Sequence, residues 1–227
     1  VCYHNLVSTT GLSTIDYIIT EELTDPEGVA EKYYVENLVR ITNRNCYMPP
    51  ATSPDIAELP FTRKGYITFG SFNNVGKITL QIIKCWARIL ENIKGSRLVL
   101  KNVLVSSNED WNPLREKLIM AGLNLNRVDF LDYVKDRSEH LKVYDKVDIA
   151  LDTFPCNGGT TSCDAIWMGV PIVTMLGKTF MGRQSMNYLT KIGLPDLIAE
   201  GPEEYVEIAI KLASDAHRLS EIRRVIR

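Results

Sequence analysis

From position 66 onward, short apolar runs alternate with longer stretches in which apolar residues recur every three or four positions. The short runs at 66–69, 97–100, 128–131, 149–151 and 171–174 predict strands, and the longer stretches at 79–92, 110–121, 138–146 and 161–168 predict amphipathic helices. Near-continuous apolar strands alternating with helices predict an α/β fold, a Rossmann-like parallel sheet with helices on both faces. The ligand site of such a sheet lies outside the carboxyl ends of its strands. Further helices are expected at 184–192, 203–213 and 216–227, with Gly193 ending the first of them ahead of Pro195.

The first third of the chain has less regular patterning. PEGVAEKYYVENLVRI carries a rough apolar stripe at Val29, Tyr33, Val35, Leu38 and Ile41, which predicts a helix. The following segment, MPPATSPDIAELPFTRK, holds four of the ten prolines and reads as a linker or a boundary crossing. No internal repeat or low-complexity tract interrupts the chain.

Three loops follow predicted strands and are therefore candidates for one shared mouth. In 151–173, LDTFPCNGGTTSCDAIWMGVPIV, a strand runs through a glycine turn into a helix start and a second strand. Gly158 and Gly159 let the backbone turn and approach a ligand closely, and Thr160 and Thr161 sit where the helix begins. The first amides of that helix suit an anion, and Asp164 lies one turn further along, facing the same mouth. An ordinary connection with a threonine cap fits the same residues. The loop GSFNNVGK after the first strand supplies Asn74 and a mobile cation, Lys77; it matches neither a dinucleotide fingerprint nor a P-loop. The third loop, DYVKDRSEH, supplies Arg137 and His140, a guanidinium for an oxygen and a ring for a nucleobase. Asp148 and Asp152 alternate with apolar residues and read as capping or flanking their strand. Arg183 opens a helix, where a ligand contact and a surface role fit equally.

Composition narrows the partners. Of 227 residues, 45% are hydrophobic, enough for a core, and the formal net charge of -2 gives no bulk attraction to nucleic acid or an anionic membrane. No apolar run reaches the length of a membrane span and the start lacks a signal-peptide pattern, so a cytoplasmic protein is expected. The five cysteines are irregularly spaced, which suggests neither a disulfide framework nor a zinc site. No D-x-D triplet or other metal motif occurs, and an opening Val suggests a piece of something longer.

The segments FGSFNNVGKIT, CWARIL, GSRLVLK, LDTFPCNGGTTSCDAIWMGVPIVTM and IGLPDLIA, in this order and spacing, resemble the catalytic region of the O-linked N-acetylglucosamine transferase family. SPINDLY-type protein O-fucosyltransferases belong to the same wider group. The likeness runs from about Thr9, through TTGLSTIDYIITEELTDP, to Arg227. It implies a glycosyltransferase B architecture, with residues 1–60 as the tail of the N-terminal lobe plus linker and 61–227 as the C-terminal, nucleotide-sugar-binding lobe. Tetratricopeptide repeats are implied upstream.

The resemblance also implies a reaction: inverting, metal-independent transfer of N-acetylglucosamine from UDP-N-acetylglucosamine to Ser or Thr of an acceptor protein, with no cofactor beyond the donor. Position by position, Asn74 and Lys77 match pyrophosphate-contacting residues, Arg137 a ribose-binding residue and His140 the ring that stacks on the base. Thr160 and Thr161 match the phosphate-binding pair and Asp164 the carboxylate for ribose hydroxyls. Two positions depart from the pattern. Gly159 stands where many members have His, which leaves the sugar open, and Val143 stands where animal enzymes have Arg near the base. The family's acceptor-side histidine is expected before Val1, since His4 does not match it, so the isolated chain is expected to be inactive. GDP-fucose as donor, a non-catalytic nucleotide-sugar scaffold and a sugar-nucleotide epimerase remain alternatives.

Overall fold

The computed structural model describes residues 8–44, 47–101 and 113–226. Its centre is a six-stranded, wholly parallel sheet of β3 (Thr68–Ser71), β4 (Arg97–Lys101), β5 (Val128–Leu131), β6 (Ile149–Leu151), β7 (Ile172–Met175) and β8 (Ile198–Ala199). The spatial order β5-β4-β3-β6-β7-β8 runs outward from β3 in one direction and from β6 in the other. The order therefore reverses between β3 and β6, and the crevice at their carboxyl ends is where this class of sheet binds ligands.

Alternation along the strands serves both faces. Leu98 and Leu100 of β4 enter the larger apolar cluster while Val99 between them enters the smaller one; Ile172 and Val173 of β7 divide in the same way. The larger cluster is covered by α2 (Leu80–Asn92), α3 (Pro113–Met120), α7 (Pro202–Ala213) and α8 (Ala216–Val225). On the other face lie α4 (Arg137–Lys142), which continues as a 3-10 turn over Val143–Lys146, and α5 (Thr160–Trp167). Helices thus cover both faces, as the strand pattern predicts.

The amphipathic stripe of α2 is well formed because Thr79 accepts the Ile82 amide at its start and Ile82, Cys85, Trp86 and Ile89 recur at helical spacing. Trp86 and Tyr205 of α7 are fully buried and joined by Nε1–H to Oη at 3.3 Å. Burial of each such side chain stabilises the fold by about 1.5–3 kcal/mol. Tyr205 Oη in turn donates to the Asp152 carbonyl at 2.9 Å, which ties the core to the loop after β6. A cis peptide joins Phe154 and Pro155 in that loop.

Residues 26–41 are not a helix. They form a 3-10 turn at Glu31–Tyr33 and a strand, β2 (Asn37–Arg40), which pairs in parallel with β1 (Tyr17–Thr20). Gly28 breaks the helical path with φ +73°, and the apolar stripe has no core to cover, since Val29, Tyr33 and Val35 are exposed. The β-branched and aromatic residues there favour extended backbone once helix-specific burial is absent. Likewise, the proline-rich segment contains the short helix α1 (Pro60–Lys64) and is fastened along its length. Trp167 Nε1 donates to Ser53 Oγ at 3.1 Å, Ser138 Oγ to the Thr52 carbonyl at 2.7 Å and Arg223 Nε to the Ala57 carbonyl at 2.7 Å.

β1, α1 and the two-residue β8 have no counterpart among the expected elements; the others fall within a few residues of expectation, with α6 (Gln184–Lys191) ended by Gly193. The predicted helix at 110–121 is described from Pro113, its first residues lying outside the described part, as do His4 and Arg227. Among the described residues no helix is long and apolar enough to cross a membrane.

Candidate functional site

The loops after β3 and β6 meet across the reversal point. Lys77 Nζ donates to the Asn157 carbonyl at 2.7 Å, and Asn73 Nδ2 lies 3.4 Å from Asp152 Oδ1. Asn74, by contrast, uses its carbonyl oxygen locally, accepting the Gly76 amide at 2.8 Å to cap the 3-10 turn Val75–Lys77. That turn aims Lys77 back over the sheet.

Asp152 is the organiser of the second loop. Its buried carboxylate accepts the amides of Thr153 and Gly158 at 2.9 and 2.8 Å and the Thr174 hydroxyl at 2.7 Å. Burial pushes this carboxyl above its ordinary range, against those hydrogen bonds. The role exceeds the capping one expected from its position in the strand pattern. Asp148 does cap, accepting the amides of Phe61 and Thr68.

The glycine turn then enters α5. Gly159 is the N-cap and no side chain closes the helix start, so the threonine cap is not what forms there; Thr160 and Thr161 are the first helical residues. Within a helix these opening amides have no carbonyl to bond and are directed at whatever lies before the helix, with the dipole behind them. Gly158 is required by packing: a Cβ there would stand 2.3 Å from Ser162 Oγ and 3.2 Å from Asn73 Oδ1. At Gly159 an added Cβ would meet only Gln184 Oε1, at 3.3 Å.

Arg137 and His140, three apart on α4, face the same carboxylate one turn inside α5. Asp136 caps α4 by accepting the Glu139 amide at 2.8 Å. Arg137 grips Asp164 with both terminal nitrogens, Nη1 to Oδ2 at 2.7 Å and Nη2 to Oδ1. Tyr47 Oη donates to Oδ1 at 2.7 Å, and His140 Nε2 lies 3.4 Å from Oδ2. Burial works to raise the Asp164 carboxyl, but the bonds from His140, Arg137 and Tyr47 outweigh it and hold the group below its ordinary range. The same ion pair raises Arg137. The imidazole of His140 stands edge-on to Tyr144 at 5.9 Å between ring centroids and to Phe72 at 6.5 Å.

All eight sequence-derived candidates therefore belong to loops or helix starts at the carboxyl edge of the sheet: Asn74 and Lys77 after β3, Arg137 and His140 after β5, Gly159, Thr160, Thr161 and Asp164 after β6. Arg183 is placed elsewhere, donating to the carbonyls of Leu23 and Gly177 and so tying the N-terminal segment to α6. Cys163, beside Asp164, is a poor nucleophile because burial pushes its thiol up to about 11. Sequence reasoning missed Tyr47, Lys101 and the organising role of Asp152. Lys101 carried a usable signal, since a lysine closing the apolar run LVLK sits at a strand's carboxyl end. Tyr47, in an irregular segment, carried none. Among the described residues no group of three or more His, Cys, Asp or Glu side chains is placed to hold a metal ion.

A six-stranded parallel sheet covered by helices on both faces, its strand order reversing between β3 and β6, is the architecture of an α/β lobe of the glycosyltransferase B kind. The chain belongs to glycosyl transferase family 41, whose model matches residues 54–227. It is 41% identical over 221 residues to a protein of Solanum lycopersicum described as a probable UDP-N-acetylglucosamine–peptide N-acetylglucosaminyltransferase SPINDLY, covering 97% of this chain and 24% of that protein. A UDP-N-acetylglucosamine–peptide N-acetylglucosaminyltransferase of Caenorhabditis elegans is 32% identical over 189 residues, covering 83% of this chain and 15% of the relative. The chain thus spans about a quarter or less of these relatives.

Among solved structures, a mutant of the O-GlcNAc transferase of Thermobaculum terrenum superposes with a TM-score of 0.87 at 32% identity, over 98% of this chain and 42% of that one. A sucrose-phosphate synthase of Thermosynechococcus elongatus, 13% identical, shares the fold with a TM-score of 0.59.

Proposed function

We propose that this chain is the nucleotide-sugar-binding part of a protein O-glycosyltransferase that transfers N-acetylglucosamine from UDP-N-acetylglucosamine to Ser or Thr, with inversion and without a metal. The observation that carries the reading is that Lys77 bonds the loop leading into α5 at the point where strand order reverses, while Arg137 and His140 converge on Asp164 one turn inside the same helix. Family membership and the activities for which the relatives are named support the donor and the protein acceptor.

In this scheme the diphosphate lies between Lys77, Asn74 and the amides of Thr160 and Thr161, close to the open face of Gly159. The base stacks on His140 and the ribose lies by Arg137 and Asp164. Asp164 meets a ribose hydroxyl by exchanging its Tyr47 bond, while Arg137 and His140 stay locked to it. An acceptor hydroxyl, giving up its proton to a base in the upstream part of the full protein, attacks the anomeric carbon from the face opposite the diphosphate, the glycosidic bond to the diphosphate breaks and UDP departs with the electron pair. Charge on the leaving diphosphate grows as that bond breaks, so Lys77 and the helix amides stabilise the transition state more than the ground state. One preorganised donor of this kind contributes about 3 kcal/mol, roughly a hundredfold in rate.

Residues 1–60 form the end of a first lobe and its linker, residues 61–227 the second lobe, and the acceptor-side base and tetratricopeptide repeats belong to an upstream part of the full protein. Gly159 is compatible with a second reading for the sugar, GDP-fucose, because the turn presents no side chain where many family members place His. Calorimetric titration of UDP, GDP and their sugars against the chain separates the two. Preferential binding of GDP moves the fucose reading ahead, and binding of neither removes both.

A further inference from the structure

Lys101 ends β4 with only 4% of its surface exposed, an expensive place for an ammonium group. Its Nζ lies 2.7 Å from His140 Nδ1, and it sits over the rings of Phe72 and Tyr133 at 5.9 and 5.8 Å. Burial pulls the amine down from its ordinary range, with Asp164 opposing and Arg137 adding to the shift.

An ammonium has three donors and no acceptor, so its contact with Nδ1 requires that nitrogen to offer its lone pair. The ring hydrogen then resides on Nε2, the nitrogen that faces Asp164 at 3.4 Å. His140 is pinned at both ends, by a donor on one nitrogen and an acceptor at the other, while Tyr144 and Phe72 stand edge-on to it. We propose that Lys101 is a positioning residue that fixes the tautomer and plane of His140, and so prepares the ring for a nucleobase. The ligand side of this inference rests on the nucleotide-sugar reading above; the tautomer does not.

A Lys101 that merely fills the core would leave the tautomer to chance. Long-range nitrogen-15 NMR of the unaltered chain separates the two, because it reports which imidazole nitrogen carries the hydrogen. The expected pattern is Nε2–H with unprotonated Nδ1; Nδ1–H in the unaltered protein overturns the proposal without any variant.

Lys101→Met keeps length and removes the donor. In it the His140 signals should move to a mixture of tautomers and UDP affinity should fall about fivefold to tenfold, the scale of one ordinary hydrogen bond. Lys101→Arg restores a donor and should recover the Nε2–H pattern. Unchanged His140 signals in a folded Met variant count against the proposal. Failure of UDP to bind the unaltered chain would overturn the nucleotide reading, while the spectrum still decides the role of Lys101.

Discussion

Lys77 Nζ and the Asn157 carbonyl oxygen, 2.7 Å apart, close the gap between the loops after β3 and β6 directly above the reversal of strand order. The contact holds a mobile cation where the diphosphate of the proposed donor would lie, with a carbonyl that a phosphate oxygen can replace. Lys77→Met in the full-length protein should therefore lower kcat by about a hundredfold, the scale of one lost transition-state donor, while substrate binding weakens far less. Single-turnover rates and donor affinity, each measured with and without a chelator, check this. Parallel losses in both constants would make Lys77 a binding group only, and chelator-sensitive transfer would refute the metal-free scheme.

His140→Ala should weaken UDP by about 1–3 kcal/mol, the range found when base stacking on a ring is removed. Isothermal titration on the variant measures it. An unchanged affinity would return His140 to a purely structural role, holding Asp164 from α4.

Five strands of the main sheet, its two covered faces and the three loops at its carboxyl edge were legible because they rest on local signals: alternation, helical spacing and glycine at turns. What was not legible depended on partners distant in sequence. The stripe from Val29 to Ile41 looked helical until β1 supplied a neighbour for β2, a pairing that no local pattern encodes. Tyr47 acts on Asp164, 117 residues away, so its role appears only when the proline-rich segment is seen strapped over α5. Gly158 was expected for a sharp turn, yet its φ is not in the left-handed region and the reason for glycine is the nearness of Ser162.

Gly158→Ala tests that reason. With backbone conformation no obstacle, the cost comes mainly from a methyl group placed 2.3 Å from Ser162 Oγ, and about 1–3 kcal/mol of destabilisation is expected from overpacking of this kind. Urea unfolding gives the value. Adding Ser162→Gly should recover part of the loss, whereas strict additivity of the two substitutions would show that the clash is not the cause.

Asp164 makes a prediction whose sign depends on its shift. Its folded-state pKa is held below the unfolded value because hydrogen bonds from His140, Arg137 and Tyr47 outweigh the burial that would raise it. A carboxyl shifted in this direction binds its proton more weakly when folded, so it contributes stability above the unfolded value, about 3.9, and loses that contribution as pH falls through the folded value. Asp152 has the opposite sign, since burial raises its folded pKa and acid relieves rather than adds strain there. Chemical denaturation of the unaltered chain and of Asp164→Asn, compared from pH 7 downward, isolates the Asp164 term. The stability gap between them should be largest near neutrality and shrink below about pH 4. A gap that is constant across that range would mean the carboxylate's charge does not hold Arg137 and His140 in place, and the placing of His140 would have to be attributed to packing by Phe72 and Tyr144.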